Sequence, residues 1–377
     1  MKLGDFVEIN PLVKLQRDKE YPFLDMADVQ PFSRTTRWQK NKVFNGSGAR
    51  FENRDTLFAR ITPCLENGKI TQALNLDKPG FGSTEFYVLR GKKGISDDDF
   101  VYYFSQTYRI RKLAEQSMIG ASGRQRVERA AFENIEIETP LDLKEQKRIT
   151  SILSAFDDKI ELNNKISQNL EQTAQAIFKE WFVKFKFPDH EKVKMIDSEL
   201  GKIPEGWKVK SFVELVNIEY GRGPASSQLK KSGYPVYGAN GVIGYFDSFN
   251  FLNRQIIIGC RGVVGNITLT LPKCIITHNS LVISPGNKRK IFFYYLLRNG
   301  NLDAVVGGSA QPQITINDLG QFNLIIPEEE LQDKFESIVT DIEQKRLMFF
   351  YENQKLAALR DLLLPKLMNG EIEVIEA

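Results

Sequence analysis

The chain has 377 residues, 42 % of them apolar and 26 % charged, enough for two or three ordinary domains and too much for a single small module. No apolar run approaches the length of a membrane span, and no secretory signal is visible after Met1, so a cytoplasmic protein without a membrane partner is expected. Net charge is only +3, and Cys64, Cys260 and Cys274 with His190 and His278 offer neither a disulfide framework nor zinc-ligand spacing, so no metal site is expected.

Residues 1–140 read as a mixed α/β domain. Its stretch from Arg34 to Lys69 is basic, with Arg34, Arg37, Lys40, Lys42, Arg50, Arg54, Arg60 and Lys69 against Glu52, Asp55 and Glu66. Asp98 to Gln116 has helical character. Residues 141–186 carry Ile149, Ile152, Phe156, Ile160, Ile166, Leu170, Ile177 and Trp181 at helical spacing, which predicts one long helix, a rod of roughly 60 Å. Residues 187–206 are polar and punctuated by Pro188, Gly201, Pro204 and Gly206, as in a linker.

Residues 207–327 form a second mixed α/β domain. Short β-rich runs, Gln255 to Gly259, Ile275 to Thr277 and Leu281 to Ile283, alternate with turns such as Gly238-Ala239-Asn240-Gly241, and Lys290 to Asn299 is helical in pattern. From Gly221 to Gly300 the bases Arg222, Lys230, Lys231, Arg254, Arg261, Lys273, Lys288, Arg289, Lys290 and Arg298 face a single acid, Asp247. Such a block suits a polyanionic partner. Residues 328–377 repeat the helical stripe with Phe335, Ile338, Ile342, Phe349, Leu356, Leu359 and Leu363, until Pro365 should end or kink it.

The second half restates the first. Gln146, Ser151, Ile152, Lys159, Leu170, Ile177 and Phe178 fall 186 positions (332 − 146) before Gln332, Ser337, Ile338, Lys345, Leu356, Leu363 and Leu364. Ser122, Val127 and Pro140 match Ser309, Ile314 and Pro327 one position further on. Upstream, Ala59-Arg60-Ile61 resembles Cys260-Arg261-Gly262, and Gly68-Lys69-Ile70-Thr71 resembles Gly265-Asn266-Ile267-Thr268. A repeat this long is a duplicated domain, not a solenoid. Two homologous apolar stripes are most simply buried against each other as antiparallel coiled-coil helices with pseudo-two-fold symmetry.

Catalytic apparatus is missing from the sequence. The segment Gly238 to Gly244 lacks the Lys and Ser/Thr of a phosphate-binding loop, and two histidines leave little room for a nucleophile and base. Asp157-Asp158-Lys159 and Glu343-Gln344-Lys345 look like fragments of a nuclease cluster but lie on the long helices, where solvated helix charge is the expected role.

Several ordered segments carry a family resemblance: Ser83 to Leu89, Ile203-Pro204-Glu205-Gly206-Trp207, Tyr234 to Gly241, Gly308 to Ile314, and the helix openings Glu145 to Ile149 and Leu331 to Phe335. Together they resemble the specificity subunit of type I restriction-modification enzymes over essentially the whole length. The first half departs by lacking a Pro-Glu-Gly-Trp opening, and by having Gly123-Arg124-Gln125-Arg126 where the second has Ala310-Gln311-Pro312-Gln313. The resemblance implies a non-catalytic, DNA-binding protein whose two target-recognition domains read a bipartite double-stranded site. It implies partner methyltransferase subunits and restriction/translocase subunits, on which S-adenosylmethionine, ATP and magnesium are expected, with no cofactor on this chain.

Candidate DNA contacts follow from charge and side-chain chemistry. Arg34, Arg37, Lys40, Arg60, Arg124 and Arg126 in the first domain, with Arg222, Lys230, Lys231, Arg261, Lys288 and Arg289 in the second, are candidates for phosphate. Asn240, Asn279, Gln311 and Gln313 are candidates for base edges. The competing expectation is a coiled-coil scaffold whose basic domains bind RNA or protein.

Overall fold

A computed structural model of the chain describes residues 1–36, 40–121, 123–138, 142–286, 289–308 and 311–374. The chain forms two compact units, one of Met1–Asn164 with Phe350–Ala377 and the other of Lys165–Phe349. Both boundaries fall inside the long helices Leu143–Phe178 and Glu329–Met368, not at their ends.

In the first unit, a four-stranded antiparallel sheet runs in the order Val7–Ile9, Phe86–Gly91, Thr56–Ala59, Ile70–Gln72. Thr56–Ala59 is buried throughout, as a central strand covered on both faces must be. Phe58, Tyr87, Phe100 and Phe132 fill one side together with Ile149 and Leu153 of the first long helix and Leu364, Leu367 and Met368 of the second. A second sheet, ordered Lys40–Val43, Glu20–Leu24, Gly80–Gly82, Ala49–Phe51, contains one parallel pairing, Phe23 with Phe81.

The second unit repeats this plan. Its central sheet has the same order, Asn217–Tyr220, Ser280–Ser284, Ile256–Gly259, Ile267–Leu269. The parallel pairing recurs between Tyr234–Gly238 and Ile275–Ile276. The core joins Ile256, Ile258, Leu281, Phe292 and Tyr295 to Phe178 of the first long helix and to Phe335 and Val339 of the second. Two of the sequence-stripe residues serve neither core: Ile338 in this unit, where Val339 takes the inward position, and Leu359 in the first are both exposed. Residues 187–206 are no free linker either, because Met195–Ser198 and Gly201–Pro204 form a hairpin, and Phe187 and Ile203 are buried in the core with Trp207.

Within each unit the helix segments run antiparallel. In the first, Asp157 meets Arg360 and Asn163 meets Asn353; in the second, Glu171 meets Arg346 and Phe178 meets Phe335. The first helix closes in a wider turn, Lys179–Val183, with the Lys184 amide donating to the Lys179 carbonyl at 2.9 Å. Pro365 neither ends nor breaks the second helix, which continues to Met368. It lies on the exposed side near the end, where water can satisfy the carbonyl that a proline leaves unbonded.

Candidate nucleic-acid interface

Loops converge at one end of the central sheet in both units. In the second unit, the Cys260 amide donates to the Asn279 carbonyl at 2.9 Å and the Ile314 amide to the Cys260 carbonyl at 3.2 Å. A backbone bridge pairs Arg261 with Gln313, and the Asn266 side-chain amide donates to the Ala239 carbonyl at 3.1 Å. Gly259 permits this crowding: a Cβ there would lie 2.3 Å from the Val263 oxygen and 2.7 Å from that of Ala239. The turn at Asn240, the loop after Gly259, the approach to Ser280, Gly307 and residues 311–314 therefore share one edge.

The first unit builds the same edge from different side chains. The Arg60 amide donates to the Glu85 carbonyl at 2.9 Å, the Val127 amide donates to the Arg60 carbonyl at 2.8 Å, and a bridge pairs Ile61 with Arg126. The strand ladders, which pair Ala59 with Phe86 and Gly259 with Ser280, set the correspondence: Arg60 with Cys260, Ile61 with Arg261, Glu85 with Asn279, Arg126 with Gln313. The sequence comparison placed Ala59 opposite Cys260, one residue out of register. In a strand that slip exchanges the two faces. Its match of Ile70 with Ile267 agrees with the ladders, since each pairs with the equivalent residue, Phe58 or Ile258.

Glu85 organises the first edge. Arg126 donates to it through Nε at 2.9 Å and Nη2 at 2.7 Å, and Arg60 Nε stands 3.5 Å away. The Arg126 hydrogen bonds hold the Glu85 carboxyl below the usual carboxylate range, against the opposing effect of burial. Arg60 also stacks over Tyr87, 5.1 Å from the ring centroid. Arg124 is exposed on the neighbouring turn. Sequence reading quoted Glu85 within a motif but missed its role; an acid between two candidate cations, once the loops are known to meet, is the signal.

The other candidates divide. Arg222, Lys231, Asn240, Arg261 and Gln311 are exposed, and Asn279 and Gln313 are partly exposed; the Arg261 guanidinium lies 6.0 Å from the Tyr220 ring centroid. Lys230 is exposed but paired with Asp247. Lys40 is exposed on an edge strand of the second sheet. Arg37 and Lys288 lie outside the described residues.

Two candidates are corrected. Arg34 is 6 % exposed, donates from Nε to Gln72 at 2.9 Å and pairs with Asp99 at 3.0 Å and Asp158 at 3.6 Å, so its charge is spent inside the unit. Arg289, at the start of the helix Lys290–Asn299, is tied to Asp333 at 2.5 Å and Glu329 at 2.8 Å on the second long helix. Those carboxylates raise its already high pKa and leave no free cation for phosphate.

Asp157 and Glu343 are also corrected, because they are buried rather than solvated. Asp157 accepts from the Tyr103 hydroxyl at 2.5 Å and from Arg360. Glu343 accepts from the Tyr295 hydroxyl at 2.9 Å, from Arg346, and from Arg254 at 3.3 Å. They brace the long helices against each domain.

What the geometry defines is a duplicated mixed α/β binding module mounted on two long helices, with exposed cations and amides at equivalent loop edges. The family described as "Type I restriction modification DNA specificity domain" matches residues 1–172 and again residues 204–355. The chain belongs to that family and carries its domain twice. It is 25 % identical to the type I restriction enzyme HindI specificity subunit of Haemophilus influenzae, over 84 % of this chain and 86 % of that one. It is 27 % identical to the MjaIX specificity subunit of Methanocaldococcus jannaschii, over 76 % and 71 %. The solved S subunit of a type I system from M. genitalium has the same fold, at a TM-score of 0.56 and 19 % identity, covering 100 % of this chain and 96 % of that one.

Proposed function

We propose that the two loop edges are laid against duplex DNA, each taking one part of a bipartite target. The chain supplies recognition and no catalysis. Methyltransferase and restriction subunits, carrying S-adenosylmethionine, ATP and magnesium, assemble on it in the cytoplasm. No helix among the described residues is long and apolar enough to cross a membrane.

The observation that carries this reading is the same backbone edge built twice with different side chains. Arg60, Glu85 and Arg126 stand where the other unit has Cys260, Asn279 and Gln313. Identical framing with divergent polar groups suits two readers of two different sequences. Selection from a random duplex library, using the full chain with its methyltransferase subunits, should enrich two short sequence blocks separated by a fixed unread gap. A scaffold for RNA or protein would enrich none.

A further inference from the structure

Arg126 is held along one edge of its guanidinium, by Nε and Nη2. A guanidinium has five N–H groups in a planar fork. Nε and one hydrogen of Nη2 are engaged by the Glu85 carboxylate, at 2.9 and 2.7 Å. Nη1 reaches the Arg124 carbonyl at 3.5 Å. That contact is at the limit of hydrogen-bond distance, and the Glu85 bonds leave the second Nη2 hydrogen and the Nη1 end of the fork without a carboxylate partner. The side chain is 42 % exposed. A cation fixed along one edge by a carboxylate, with that end of its fork left over, matches the two acceptors O6 and N7 on the major-groove edge of guanine.

The equivalent residue in the second unit is Gln313. Each of the two closes the same backbone bridge, Ile61 with Arg126 and Arg261 with Gln313. Gln313 is partly exposed, and among the described residues its side-chain amide makes no hydrogen bond. One donor and one acceptor match adenine N7 and N6. Position 279 carries Asn where the first unit has Glu85, so no carboxylate is placed there to hold an arginine, and none is present.

We infer that positions 126 and 313 are the paired base-reading positions of the two units, Arg126 selecting guanine in one half-site and Gln313 selecting adenine in the other, with Glu85 the positioning residue for Arg126. This rests on the proposal that the loop edges meet DNA.

The test is selection from a random duplex library by the full chain with its methyltransferase subunits, as wild type, Arg126→Gln, Glu85→Gln and Gln313→Arg, the last also combined with Asn279→Glu. Arg126→Gln should lower the preference for one guanine in one block by about tenfold or more and leave the other block unchanged. Glu85→Gln should weaken the same guanine preference without moving it. Gln313→Arg should weaken one adenine in the other block only, and should exchange it for guanine when Asn279→Glu supplies the missing carboxylate. Two enriched blocks that stay identical in every variant would overturn the inference and leave the proposed function standing. Wild type that enriches nothing would overturn both. If Arg126→Gln melts early, Gln313→Arg decides; a variant that melts like wild type yet loses both blocks together counts against the inference.

Discussion

Asp157 and Glu343 occupy the same place in the two halves, 186 residues apart (343 − 157), each buried and bonded to a tyrosine hydroxyl and to arginine. Removing one partner of such a buried pair strands the other's charge, which costs about 3–5 kcal/mol. Asp157→Ala should therefore bring the first unit's urea transition to lower concentration, since Arg360, 8 % exposed, keeps only the more exposed Asp361 as its carboxylate partner. Arg34 and Arg124 separate structural from surface charge. Arg34→Ala should lower stability and leave the salt dependence of DNA binding unchanged, whereas Arg124→Ala should do the reverse; plots of log affinity against log salt beside melting curves distinguish them. Glu85 adds a pH dependence. Its folded pKa is depressed by Arg126, so its stabilisation is present above the ordinary carboxylate range and disappears as pH falls through the folded value. The stability difference between wild type and Glu85→Gln should be visible at neutral pH and vanish in acid.

The helix that follows the central sheet shows how the duplicated elements have diverged. In the first unit Asp97 caps Asp98–Gln106 itself, its carboxylate accepting from the Asp99 and Phe100 amides. In the second, Arg289 stands at that position with φ of 64° and no capping side chain. Glu336 of the second long helix supplies the carboxylate instead, accepting from the Ile291 amide at 3.1 Å and the Phe292 amide at 2.6 Å. Glu336→Ala should cost about 1–2 kcal/mol, read by denaturation, and should lower hydrogen-exchange protection first at Ile291 and Phe292. This substitution of a distant cap for a local one was invisible to sequence reading, which sees only neighbours along the chain. Legible were the features written in local periodicity: the long helices, the helical stretch Lys290–Asn299, and the short strands around Ile256, Ile275 and Leu281. The basic clustering was visible too. Which of its members face solvent was not, because Arg34 and Arg289 differ from Arg124 and Arg261 only in the carboxylates that tertiary packing brings to them. The loop edge was missed for a similar reason. The loop joining Thr56–Ala59 to Ile70–Gln72 is longer than that joining Ile256–Gly259 to Ile267–Leu269, and only the ladders reveal where the extra residues sit.

For the whole chain, affinity should depend on the summed charge of the exposed candidate cations in both units. Replacing Arg124, Arg222, Lys231 and Arg261 together with Ala should flatten the log affinity against log salt plot by about 0.9 for each side chain that meets a phosphate, and an unchanged slope would mean these residues face elsewhere. The division of the chain has a different consequence, in time. Lys165–Phe349 is complete as soon as Phe349 has been made, while the unit begun at Met1 still lacks Phe350–Ala377. Those residues bring Leu364, Leu367 and Met368 to the core that also holds Ile149 and Leu153. At elongation rates of roughly 5–20 residues per second the missing stretch takes roughly one to six seconds to synthesise. The first unit to emerge from the ribosome is thus the last to close, and it waits with an apolar face uncovered. A chain stopped after Phe349 should freeze that moment: limited proteolysis should cut within the first 164 residues while the stretch from Lys165 to Phe349 resists.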